Sequence, residues 1–250
     1  FAKAAVAANT LPLHPSLTQD CINKTFRAFE QAGKVIPVKT DEGLGKQWYV
    51  TASTWEMEKQ LLTTVLHGKG TQTPFMPDLP TAFTTGLTDG QKAATALILQ
   101  STDQFIGIQG YAGVGKTTQF KAVMAAINSL PEAERPEIIG LAPTHRAVGE
   151  MREVGVKAQT LHAFLMDAQS RQQQGETLDY RNTLFLVDES SMIGNKNLSE
   201  AVSVIAQGGG RGVLSGDTAQ LLSVDSGTPF DLLQARSAMD TAIMKEIVRQ

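Results

Sequence analysis

Apolar residues follow two different rhythms along the chain, and the change comes near residue 86. In the first part, Ile22, Phe26 and Phe29 of QDCINKTFRAFEQAG recur at helical spacing, and Gly33 supplies a C-terminal stop. KVIPVKTDEGLGKQWYVTAS then places two apolar-rich runs around a polar, glycine-containing turn, which predicts a hairpin. TWEMEKQLLTTVLHG predicts a second helix, capped by Thr54, with Met57, Leu61, Val65 and Leu66 toward one face. Residues 1–70 thus read as a small α+β accessory unit, helix–hairpin–helix in order. Residues 71–86, with three prolines and little periodicity, read as a linker.

From Leu87 the rhythm becomes short apolar runs alternating with longer amphipathic ones. QFIGIQG, EIIGLAP, TLFLVDE and RGVLSGD predict buried strands, each followed by a helical segment. That alternation predicts an α/β fold for residues 87–250, a parallel sheet with helices on both faces. No internal repeat is visible, and DAQSRQQQGET reads as a solvated helix end and loop.

Composition narrows the class. With 42% hydrophobic content in 250 residues the chain has ample core material, which excludes a disordered reading. No apolar run approaches membrane-spanning length, so no membrane insertion is expected, and FAKAAVAANT lacks the pattern of a secretory signal; a soluble, cytoplasmic protein is expected. One cysteine, Cys21, leaves no internal disulfide and no cysteine-based zinc cluster, and reads as a small buried residue. The first 86 residues carry 8 basic and 7 acidic side chains and the remainder 14 and 18, so any contact with nucleic acid must come from a local surface. The chain opens without Met and stops at KEIVRQ with no helix-terminating signal, which suggests a piece of a longer protein.

The chemistry begins at GYAGVGKTT. Gly110, Gly115, Lys116 and Thr117 match the phosphate-loop pattern, with Gly113, Val114 and Thr118 completing the turn. Glycine lets backbone amides close on phosphate oxygens, and the following helix points its positive end at the same anion. Lys116 suits the β- and γ-phosphates of ATP, and the Thr117 hydroxyl suits Mg²⁺. A dinucleotide-binding turn fits less well, because Thr118 stands where its third glycine should fall. TLFLVDESS delivers Asp188 and Glu189 at a strand end; Asp188 suits the magnesium shell and Glu189 a general base for water. SGDTAQL adds Asp217 and Gln220, the latter able to sense the γ-phosphate.

Seven blocks in order, LTDGQKAA, GYAGVGKTT, LAPTHRAV, QTLHAFL, LFLVDESSM, SGDTAQL and IVRQ, resemble superfamily 1 DNA helicases of the RecD-like branch. Within that branch they are similar to the helicase region of the conjugative relaxase-helicases of F-like plasmids. The resemblance implies a P-loop NTPase sheet of the RecA-like type forming the first motor domain. It also implies that Gln91 reads adenine, that Arg249 contacts the γ-phosphate, and that Pro143, Thr144, His145, Arg146, Thr160, His162 and Phe164 contact single-stranded DNA. Phe164 equally suits a helix core, and the two histidines equally suit structural roles. Trp48, Tyr49 and Trp55 offer a stacking platform, though packing of the accessory unit explains them more simply. His14 and His67 have no partner motif.

The same resemblance implies partners: a second motor domain and a relaxase domain of the same polypeptide, the relaxosome, and type IV secretion coupling proteins, in a bacterial cytoplasm. The motifs of a second motor domain and the relaxase tyrosine and histidine cluster are absent from these 250 residues. The expectation is therefore a fragment that binds Mg-ATP and single-stranded DNA but does not unwind alone. Two alternatives stand beside the helicase: a non-hydrolytic nucleotide- or DNA-binding scaffold in a conjugation protein, and a P-loop ATPase unrelated to DNA.

Overall fold

The computed structural model describes residues 19–38, 48–111, 113–219, 227–236 and 238–246. The chain divides into two compact units, Phe1–Lys59 and Gln60–Gln250. In the smaller unit, helix α1 (Gln19–Gln31) precedes an antiparallel pair, β1 (Val35–Val38) and β2 (Trp48–Thr51), registered from Val35 opposite Thr51 to Val38 opposite Trp48. Phe26 of α1 meets Tyr49 of β2 edge to face at 4.6 Å, and the Tyr49 hydroxyl donates to Glu30 at 3.3 Å. Packing thus accounts for Tyr49, whereas Trp48 and Trp55 stay 43% and 48% exposed. The hairpin turn, residues 39–47, and the side chains of Cys21 and Ile22 lie outside the described residues.

Helix α2 (Ala52–His67) begins two residues before the expected cap. Thr51 Oγ1 accepts the Thr54 amide at 3.2 Å, so Thr51, not Thr54, caps it; a β-strand residue with extended backbone is already placed for that bond. Leu61 and Val65 are buried, but Leu66 is exposed, one position off their face. The boundary between the units falls inside this helix rather than at residue 70.

Residues 71–86 are docked on the larger unit rather than strung out as a linker. The amides of Gln72 and Met76 donate to the carbonyls of Thr102 and Leu99 at 2.8 and 2.9 Å. Arg211 donates to the carbonyls of Thr73 and Ser101 at 2.9 and 2.8 Å, and its guanidinium stacks 4.1 Å from the Phe75 ring centre. Burial pushes this guanidinium down to about 10, against an opposing pull from Asp103. Prolines here limit regular structure to a single 3-10 turn, Thr81–Phe83, without preventing attachment, because the carbonyls of Thr73 and Pro77 find donors in Arg211 and Gln100.

The larger unit is a six-stranded parallel sheet in the order β5-β4-β6-β7-β3-β8. In chain order it contains α3 (Asp89–Gln100), β3 (Phe105–Gly110), α4 (Lys116–Asn128), β4 (Glu137–Ala142), α5 (His145–Glu153), β5 (Lys157–Thr160) and α6 (Leu161–Gln173). There follow β6 (Thr183–Val187), α7 (Asn195–Gln207), β7 (Arg211–Gly216), α8 (Pro229–Ala235) and β8 (Thr241–Met244). Strands β3, β6 and β7 are buried at every residue, as their apolar runs predict. Alternate side chains serve opposite faces: Phe105, Phe185 and Val187 join one core with α6, α7 and α8. Ile106, Ile108, Leu184 and Leu186 join the other with α3, α4 and α5. Each such large side chain contributes about 1.5–3 kcal/mol on burial. The strands β5 and β8 are additions to the four expected from sequence; both are four-residue, partly exposed edge strands, β5 with no apolar run and β8 with one of only three residues. Among the described residues no helix is long and apolar enough to cross a membrane.

Candidate functional site

Strands β4, β6, β7 and β3 lie side by side, and all run in the same direction. Their carboxyl ends therefore present Thr144, Asp188 with Glu189, Asp217, and the turn that starts at Gly110 along one edge, where open α/β sheets carry their ligands. Gly113 and Gly115 take φ of 76° and 74°, left-handed values that side chains resist. From Gly115, α4 starts with no side chain capping its first amides. Those amides and the helix dipole form an anion site.

The side chains around it suit a phosphate and a divalent cation. Lys116 Nζ stands 3.7 Å from Asp188 Oδ1 across the mouth of the turn. A cavity of about 730 Å³ opens there, lined by Gly113, Val114, Gly115, Lys116, Thr117, Thr118, Asp188, Glu189 and Asp217 among others, within the usual size of a cofactor site. Among the described residues no group of three or more His, Cys, Asp or Glu is placed to hold a metal. A cation held by Thr117 and Asp188 would take its remaining oxygens from phosphate and water.

Glu189 has φ 52° and ψ 34°, and among the described residues it is the one non-glycine with positive φ. Such a conformation costs about 1–2 kcal/mol and is retained where the surroundings enforce it. Here the Glu189 amide donates to Asp188 Oδ1 at 2.9 Å, and Glu189 Oε2 accepts from the Thr144 hydroxyl at 3.1 Å. Asp217 is 4% exposed and serves as a strut: its amide donates to Ser191 Oγ at 3.3 Å, and its Oδ1 accepts from the Ala219 amide at 3.0 Å and Gln109 Nε2 at 3.4 Å. Gln109 belongs to no motif, and its one signal in the sequence is its place as a polar residue inside the apolar run FIGIQG. Lys121 and Glu150 line the same cavity and carried no motif.

Several expectations change. Gln91 is 2% exposed, and both ends of its carboxamide have partners: Oε1 accepts the Thr88 amide at 3.0 Å, while Nε2 donates to the carbonyls of Val114 and Gly115 at 2.9 and 3.2 Å. Both polar atoms thus serve a capping box and the phosphate turn, so Gln91 braces the loop that it was expected to complement at the base. Phe164 is 3% exposed and packs against Tyr180 and Phe185, with ring centres 6.0 and 5.3 Å away, so it is a core residue and not a base-stacking one. Thr144 and Thr160 cap α5 and α6 by accepting the amides of Ala147 and Ala163, both at 3.2 Å. His145, Arg146 and His162 are exposed on the first turns of those helices. Arg146 pairs with Glu150 at 2.9 Å and also lines the cavity beside Lys116. Gln220 and Arg249 lie outside the described residues.

A parallel sheet with a glycine-rich phosphate turn at one strand end and an acidic pair at another defines a P-loop NTPase domain. Residues 86–250 match the family described as AAA domain, and the chain belongs to that family, whose members bind nucleotides. The chain is 55% identical over 218 residues to the multifunctional conjugation protein TraI of Escherichia coli (strain K12), covering 87% of this chain and 12% of that protein. It is 31% identical over 166 residues to the ATP-dependent RecD2 DNA helicase of Deinococcus radiodurans, covering 66% of this chain and 22% of that protein. Among solved structures, Pif1 helicase from Bacteroides in complex with ADP-AlF3 and ssDNA aligns with a TM-score of 0.41 at 20% identity, over 66% of this chain and 43% of that one.

Proposed function

We propose that the chain is the first motor domain of an ATP-driven DNA helicase acting in conjugative transfer, with a small accessory unit before it. The observation that carries the reading is the pairing of Lys116 with Asp188, beside Glu189, over a phosphate turn. Support for the conjugative setting comes from the 55% identity to TraI, of which the chain spans 12%.

In this reading the amides of residues 113–118 and Lys116 bind the triphosphate of ATP, and Thr117 with Asp188 holds Mg²⁺. The ion supplies neutralisation of phosphate charge. Glu189 orients a water and accepts its proton as the water oxygen bonds the γ-phosphorus and the bond to the β-bridging oxygen breaks. Gln220 and Arg249 contact the γ-phosphate by resemblance, and the positive charge of Arg249 offsets the negative charge that develops. Pro143, Thr144, His145, Arg146, Thr160 and His162 form the strand-facing blocks, reading phosphate and not base identity. A second motor domain of the same polypeptide closes the cleft. Travel from 5′ to 3′, the relaxase domain, the relaxosome, type IV coupling proteins and a bacterial cytoplasm complete the proposal.

The test is ATP hydrolysis by the full-length polypeptide with and without single-stranded DNA, with Lys116→Ala as control. DNA stimulation abolished by the substitution supports the motor. A flat rate that ignores DNA replaces it with the scaffold reading.

A further inference from the structure

Helix α3 fills the donors of its first turn from two sources. The Thr88 amide donates to Gln91 Oε1 at 3.0 Å and the Gln91 amide to Thr88 Oγ1 at 3.3 Å, a local exchange. Between them, the Gly90 amide donates to Glu246 Oε1 at 3.3 Å, across 156 positions of sequence, and the Thr88 hydroxyl reaches Glu246 Oε2 at 3.5 Å. A carboxylate suits that place, because the helix start carries free amides and the positive end of the dipole. Gly90 is what admits it: a Cβ there would stand 2.6 Å from Glu246 Oε2, 2.9 Å from the Met244 Cα and 3.0 Å from the Ile243 carbonyl oxygen. The start of α3 and the end of β8 thus meet backbone to backbone, with Glu246 as the clasp.

The same turn of α3 also holds the phosphate turn, through the bonds from Gln91 Nε2 to the carbonyls of Val114 and Gly115. One helix start therefore joins the residues that close on phosphate to the segment that leaves β8. That segment is KEIVRQ, in which Arg249 follows Glu246 by three positions, so the chain carries Arg249 no further than about 11 Å from the clasp. We infer that Glu246 is a positioning residue, which moors this segment on α3 so that Arg249 keeps its place relative to nucleotide in the phosphate turn. Without the clasp, Arg249 spends less of its time at the γ-phosphate. Nucleotide binding is left to Lys116 and the turn amides, so the loss falls on turnover and not on affinity. The inference rests on the helicase reading, in which Arg249 contacts the γ-phosphate, and deepens it.

The experiment measures steady-state ATP hydrolysis by the full-length polypeptide with and without single-stranded DNA. The proteins are the wild type, Glu246→Ala, Glu246→Gln, Gly90→Ala, Arg249→Ala and the Glu246→Ala, Arg249→Ala double variant. Alanine at 246 removes the acceptor, and kcat is expected to fall about tenfold, the size of one hydrogen bond to a charged group, with KM for ATP within about twofold. Glutamine keeps an oxygen for the Gly90 amide and should restore kcat to within about twofold of wild type. Gly90→Ala displaces Glu246 with its carboxylate intact, and should lower kcat as Glu246→Ala does. In the Arg249→Ala background Glu246→Ala should change nothing further, since it acts through that arginine. An equal loss in both backgrounds, a glutamine variant as slow as alanine, or wild-type kcat in Glu246→Ala overturns the positioning role. Wild-type kcat in Arg249→Ala overturns it as well, while stimulation by DNA leaves the motor standing. A wild type that ignores DNA overturns the motor, and the coupling of residues 246 and 249 is then decided by the rates without DNA.

Discussion

Lys116 Nζ lies 3.7 Å from Asp188 Oδ1, with 24% and 19% of the two side chains exposed. The cation that a phosphate needs is thus already paired with the acid that a metal needs, and each ligand must displace one partner. A partly exposed pair of this kind is worth about 0.5 kcal/mol. Asp188→Asn should therefore tighten magnesium-free nucleotide by about twofold while lowering hydrolysis by about 100-fold or more. Lys116→Ala should weaken nucleotide and lower hydrolysis alike. Fluorescent-nucleotide titration with and without Mg²⁺, beside turnover, checks both; tighter magnesium-free binding by Lys116→Ala would contradict the assignment.

Gln91 joins α3 to the phosphate turn through the Val114 and Gly115 carbonyls. Gln91→Ala removes these bonds and half of the capping box, and should cost about 2 kcal/mol of stability while raising KM for ATP. Discrimination between ATP and GTP should stay as in the wild type. A variant that loses its preference for ATP with unchanged stability would return Gln91 to base recognition.

Phe164 and Arg146 come from neighbouring blocks but differ in what they touch. Phe164→Ala leaves a cavity between Tyr180 and Phe185 and should cost about 3–5 kcal/mol, with DNA affinity per folded molecule unchanged. Arg146→Ala should leave stability nearly as it is, weaken DNA binding, and lower the slope of log affinity against log salt by about 0.7 for a single strand. Thermal melts and fluorescence anisotropy at several salt concentrations separate the two.

Arg211 fastens residues 73–75 to the sheet by a hydrogen bond to the Thr73 carbonyl and a stacked Phe75 ring, and holds the Ser101 carbonyl by another. Arg211→Met keeps apolar contact and loses the donors, so the carbonyls of Thr73 and Ser101 lose their partners. Hydrogen exchange should speed up first at the Gln72 and Met76 amides, with the β3 amides still protected. Uniform loss of protection across the sheet would mean that the segment is integral to the core.

Much of the site was legible in the sequence because its parts are local. The phosphate turn needs glycine at fixed spacing, and an apolar strand ending in Asp188 and Glu189 declares both its burial and its direction. The buried strands β3, β6 and β7 were legible for the same reason: central strands of a parallel sheet must be apolar throughout. Edge strands β5 and β8 were not legible, since a half-exposed strand four residues long carries no apolar run, as in β5, or one of only three residues, as in β8.

What only the tertiary structure decided is which polar atoms are already spoken for. Gln91, Phe164 and Thr144 stand in motifs whose spacing points to ligands, yet one braces the phosphate turn, one fills a core and one holds Glu189. A sequence records the donors and acceptors a chain owns. Their partners lie 45 residues apart, as with Thr144 and Glu189, and only the order of strands in the sheet brings them within a hydrogen bond.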